Sequence, residues 1–164
     1  MKKSSPKTAA AGTPAKQLAG FIAKFDPAIA KLIRQARASV RKRLPTAIEL
    51  VYDNYNALAI GFCATERASD CVLSVAGVAK GVALSFYYGA SLPDPQKLLL
   101  GGGNQNRYLR FEDANLLKNP AVEKIIAAAI AQAKTPLPAS GTGYLVIKSI
   151  SAKQRPRRPT AKKP

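Results

Sequence analysis

Residues 70–112, DCVLSVAGVAKGVALSFYYGASLPDPQKLLLGGGNQNRYLRFE, decide the fold, because they hold the chain's strongest strand signals beside its most unusual loop. The runs 71–76 and 82–88 carry strand chemistry and flank a turn from Gly77 to Gly81, which predicts a β-hairpin with a loop of about 3 to 5 residues. A third run, 107–111, follows three consecutive glycines and predicts a further strand. Between them, Asp94 and Pro95 predict a capped helix of one or two turns through Leu99. Opposite parity along the second run sends one of Tyr87 and Tyr88 toward the core and the other outward. No catalytic constellation occurs in this stretch.

Working outward, residues 46–53 alternate Ile48, Leu50 and Tyr52 against Ala47, Glu49, Val51 and Asp53, and residues 57–64 alternate Leu58, Ile60 and Phe62 against small residues. Both read as strands, joined by a turn at Asp53 to Asn56. The small Ala57, Ala59 and Gly61 suggest that another element approaches that face. Asp26-Pro27 and Asn119-Pro120 are helix starts, since the acid or amide caps free amides and proline at the first position has no amide proton to waste. They open helices over 27–44, stopped by Pro45, and over 120–134. A shorter helix carries Leu18, Phe21, Ile22 and Phe25 on one side. Residues 143–150 form a late strand or an extended arm. The expectation is one α+β domain over residues 16–150, with a mainly antiparallel five-stranded sheet and helices packed on it. The tails at 1–15 and 151–164 read as basic and disordered, because they have little to bury.

Charge supplies the functional reading. The 26 basic and 9 acidic residues give a formal charge of +17, which favours polyanions and nucleic acid above all. On the helix over 27–44, Lys31, Arg34, Arg37, Arg41 and Lys42 oppose an apolar face of Ile29, Leu32, Ile33, Ala36 and Val40, and no acid on that helix relieves their repulsion. Together with Lys153, Arg155, Arg157 and Arg158 they form the expected phosphate-binding set, contacting nucleic acid without reading bases. A second candidate is the loop Gly101, Gly102, Gly103 and Asn104 with Arg107. Its glycines allow positive φ and exposed amides that cradle a small anion, or make a plain connection. The chain has no histidine, and no base stands beside a nucleophile, so enzymatic activity and a cofactor are not expected. Cys63 and Cys71 lack metal-ligand spacing and read as reduced, buried thiols. No apolar run approaches membrane-spanning length, which leads to the expectation of a cytoplasmic protein.

The segments LSFYYGASLPDP (84–95), KLLLGGGNQNRYLRF (97–111) and KSISAKQRPRRP (148–159) resemble the YdhG-like family of small bacterial proteins, and the resemblance extends over residues 17–159. It implies an α+β, frataxin-like fold, and at least one member of the family has been described as a frataxin-like iron chaperone. Iron is therefore a partner by resemblance only. It brings no catalytic residues with it. Stable iron sites use oxygen or imidazole donors. Here histidine is absent and Glu112-Asp113 is the single adjacent acidic pair.

Overall fold

Val51, Ile60, Val75, Leu84 and Leu109 stand side by side across five hydrogen-bonded strands and form the floor of the core, all of them buried. The strands are β1 (Ile48–Asp53), β2 (Leu58–Cys63), β3 (Cys71–Val78), β4 (Gly81–Phe86) and β5 (Arg107–Arg110), a meander in which every neighbouring pair is antiparallel. The computed structural model describes residues 12–159, so the expected tails at 1–11 and 160–164 lie outside the described residues.

Among the described residues the sheet has six strands, one more than the meander expected from sequence. β6 (Leu145–Ile150) pairs with β1 in parallel, giving the order β5-β4-β3-β2-β1-β6 and making the sheet mixed. Gly143 lets the chain enter this position: a Cβ there would collide with the carbonyl of Ala47, and the Gly143 amide donates to the Pro45 carbonyl at 3.1 Å. Of the two readings of residues 143–150, the strand holds.

Among the described residues, three α-helices cover one face. α1 (Pro14–Ala23) begins with Thr13, whose hydroxyl accepts from the Lys16 amide at 3.2 Å. Order therefore reaches into the expected tail at 1–15. α2 (Pro27–Arg43) and α3 (Pro120–Gln132) start at the predicted prolines, and Asn119 caps α3 by accepting from the Ala121 amide at 2.9 Å. Leu18, Ile22 and Phe25, then Ile33, Ala36 and Val40, then Val122, Ile125 and Ile126 join the strand row in one apolar cluster. Burying each such side chain contributes roughly 1.5 to 3 kcal/mol. Gly77 permits the close approach of α2, since a Cβ on it would stand 2.7 Å from Ile33 Cδ1.

Several local readings change. The hairpin turn is only Ala79-Lys80, because Gly77, Val78 and Gly81 remain in the ladder. Residues 94–99 form no helix; the Asp94 carboxylate instead holds a loop by accepting from the Leu98 and Leu99 amides, each at 2.8 Å. β4 ends at Phe86, so Tyr87 and Tyr88 both escape strand parity and are exposed, their rings edge to face with centroids 4.7 Å apart. Among the described residues, no helix covers the face on which Ala59 and Gly61 lie. It holds instead a small second cluster of Ile48, Leu50 and Cys63, flanked by Tyr52, Cys71 and Val146.

Candidate nucleic-acid interface

β1 presents a face that its hydrophobic pattern conceals. Val51 belongs to the helix-side core, so strand parity puts Glu49 and Asp53 on the same side, toward the helices. Both carboxylates are 0% exposed. A buried carboxylate is costly unless paired and hydrogen-bonded, and each has two cations. Glu49 accepts from Arg37 Nε at 2.6 Å and Nη2 at 3.0 Å, and also from Arg41. Asp53 accepts from Lys24 Nζ at 2.6 Å and from Arg157 Nη2 at 2.8 Å. Burial alone would raise the Asp53 pKa, but hydrogen bonds from Lys24, Gln154 and Arg157 outweigh it and hold the carboxyl below its ordinary value. Each acid is overmatched, so each cluster keeps one net positive charge. The two lie about 13 Å apart along the strand.

These clusters revise the predicted phosphate set. Arg157, placed by sequence in a disordered tail, is 5% exposed. Its guanidinium lies 5.8 Å from the Phe25 ring and also donates to the Asn54 carbonyl at 2.6 Å, while its Nε and Nη1 are buried without a partner. Residues 151–159 form a strap rather than a free tail. The Ser151 amide donates to the Asp53 carbonyl at 2.9 Å, the Arg155 amide to the Tyr55 carbonyl at 2.8 Å, and Arg158 Nε to the Lys24 carbonyl at 3.1 Å. Prolines forbid helix there but not an extended run, and the buried carboxylate supplies the anchor that composition could not reveal.

Arg37 and Arg41 are likewise half-buried and committed to Glu49, so the repulsion expected along α2 is relieved by an acid from β1 rather than from the helix itself. Lys31, Arg34 and Lys42 stay exposed along one stripe of α2, spanning about 16 Å, and form no ion pair among the described residues. Lys153 and Arg155 are exposed on the strap, Arg155 over the Tyr55 ring. Arg158 stands at the N-terminal end of α2, exposed and 3.8 Å from Asp26. Sequence reading missed Glu49, Asp53 and Lys24. The available signal was two acids two residues either side of Val51, inside a run otherwise able to be a strand.

The glycine loop faces inward on its own arginine. Arg107 Nη1 donates to the Gly102 carbonyl at 3.0 Å and the Asn106 carbonyl at 2.8 Å, and Nη2 to the Gly103 carbonyl at 3.1 Å. Gly101 and Gly103 have positive φ, but the groups converging on Arg107 are carbonyls, whereas an anion needs amides. Gly101 and Asn104 do not hydrogen-bond to that guanidinium. Among the described residues, no three or more His, Cys, Asp or Glu side chains are grouped to hold a metal, and no helix is long and apolar enough to cross a membrane. No protein-family model, curated protein or solved structure matches the chain.

Proposed function

We propose that this chain is a non-enzymatic binder of nucleic acid, engaging phosphates weakly and without base readout through Lys31, Arg34 and Lys42 on α2 and Lys153, Arg155 and Arg158 on the strap. The observation that carries the reading is how the acids are used. Glu49 and Asp53 are withdrawn into the protein under two cations each, and Glu123 is paired with Arg43. The solvent therefore meets the chain's cations more than its anions. Single-stripe lysine and arginine geometry suits phosphates, and nothing about it fixes the bidentate fork that reads a base edge. The iron alternative, which rests on the YdhG-like resemblance, draws less support, since two of the chain's few acids, Glu49 and Asp53, are buried and already paired with cations.

The test is a salt titration. With about 5 phosphates engaged, log K should fall against log salt with a slope near −4.5. Replacing Lys31, Arg34 and Lys42 by Gln should flatten the slope by about 2 to 3 units, roughly 0.9 per phosphate, with no loss of stability. No binding to single- or double-stranded DNA or RNA at about 50 mM salt, where such contacts are strong, would sink the reading.

A further inference from the structure

Cys63 and Cys71 are register partners in neighbouring antiparallel strands, and a defect in the ladder is what makes them so. Phe62 pairs with Leu73, yet Cys63 pairs with Cys71, leaving Val72 as an extra residue on β3. Without that bulge Cys63 would face Val72 and Cys71 would follow the parity of Leu73 into the helix-side core. With it, Val72 and Leu73 both enter the helix-side core and Cys71 turns to the opposite face, beside Cys63 and Ser74. Bulges of this kind re-aim side chains and are common beside functional sites.

Space is left for the two sulfurs. A Cβ on Gly61, the neighbour of both, would stand 3.1 Å from Cys71 Sγ and 3.4 Å from Cys63 Sγ. Cys63 is buried and Cys71 is partly exposed, and both line an open cavity of about 360 Å³ with Tyr52, Ser74, Ser85 and Asn106. Directly opposed residues of an antiparallel pair have Cα atoms roughly 4.5 to 5.5 Å apart, within the span that a disulfide bridges. The thiols are free in this structure.

We propose that Cys63 and Cys71 form a reversible oxidation site for a hydroperoxide, with Cys71 as the attacking sulfur and Cys63 as the resolving one. In the first step the Cys71 thiolate attacks the terminal peroxide oxygen, an S–O bond forms, the O–O bond breaks, and the departing hydroxide or alkoxide takes a proton from water. In the second, Cys63 sulfur attacks the Cys71 sulfenic acid, the S–S bond forms as the S–O bond breaks, and the Cys63 proton leaves with that oxygen as water. Two electrons pass from the sulfur pair to the peroxide. The division of roles follows from surroundings. Hydrogen bonding from Cys63 lowers the Cys71 pKa, against burial and helped by Ser74 and the Phe62 backbone, whereas the same bond, burial and the nearby charges raise that of Cys63. A partly exposed thiol open to a cavity, beside a buried resolving thiol, is the arrangement that redox-sensing cysteines use.

Treating the reduced full-length chain with one equivalent of hydrogen peroxide, then counting thiols after denaturation, should take the count from two to zero in a monomer, with mass lowered by two hydrogens and both thiols restored by dithiothreitol. In Cys63→Ser, dimedone should trap a sulfenic acid at Cys71; in Cys71→Ser, Cys63 should react at least about tenfold more slowly. Brief peroxide exposure of the unaltered chain with dimedone present, followed by peptide mapping, should label Cys71 first and reads the same division of roles without a variant. Two thiols surviving, a disulfide between two chains, or first labelling at Cys63 would each overturn the proposal.

Discussion

Arg157 is the residue whose role changes most between sequence and structure, from a tail cation to the buried partner of a buried carboxylate. Replacing it by Ala leaves Asp53 with Lys24 alone and should destabilise the domain by about 3 kcal/mol, the low end for breaking a buried pair, while Lys153→Ala should stay within roughly 0.5 kcal/mol. Urea midpoints of the two variants check this. Asp53 also sets a pH dependence. Its carboxyl titrates below its ordinary 3.8 in the folded chain, so the unfolded chain takes up that proton first as pH falls. The stability it adds is whole above about pH 5 and is lost as pH drops through the folded value. Between pH 7 and pH 3 the midpoint should therefore fall less in Asp53→Asn than in the unaltered chain, starting from a lower value at pH 7. Gly143→Ala tests the close approach to Ala47, and hydrogen exchange should show faster exchange at the β1 and β6 amides while α3 stays protected.

At the scale of elements, α2 and α3 were legible because Asp-Pro and Asn-Pro starts coincide with helical apolar spacing, and β2 to β5 because their strand chemistry is local. β1 reads as a strand, but its alternation does not say which face meets the helices: Val51 and two acids take that side, and Ile48, Leu50 and Tyr52 take the other. Binary pattern assigns acids to solvent; only the arrival of Arg37, Arg41, Lys24 and Arg157 from elsewhere makes the opposite assignment affordable. β6 could be read as a strand, but not its partner, which lies about a hundred residues earlier. The strap was illegible for the same reason: its composition is that of a solvated tail, and its anchor is a side chain from β1. Deleting residues 151–164, which would spare a domain with a free tail, should instead lower thermal stability by several degrees or more and open the end of β1 and the turn after it, where the strap bonds to Asp53 and Tyr55, to proteolysis. A truncated chain as stable as the full one would show that the strap contributes nothing.

For the whole molecule, the charge divides into two populations with different consequences. Arg37→Gln with Arg41→Gln should unfold the domain more readily, because Glu49 would be buried without a counter-charge, whereas the exposed stripe can be neutralised with effects on binding alone. Comparing circular dichroism melts with nucleic-acid titrations for the two sets separates them: loss of binding only where stability is lost would assign the surface charge to solubility. The parallel closure of β6 and the strap upon β1 also fixes an order of events during synthesis. Asp53 and the arginine that completes its site are 104 residues apart, which at about 5 to 20 residues per second is on the order of ten seconds of translation. Throughout that interval β1 has an unpaired edge and Asp53 has Lys24 but not yet Arg157, whereas both arginines of Glu49 precede it in the chain. A ribosome-stalled chain ending near residue 140 should therefore be cut by protease within β1 and should recruit chaperones, while one stalled with residue 159 clear of the exit tunnel should resist.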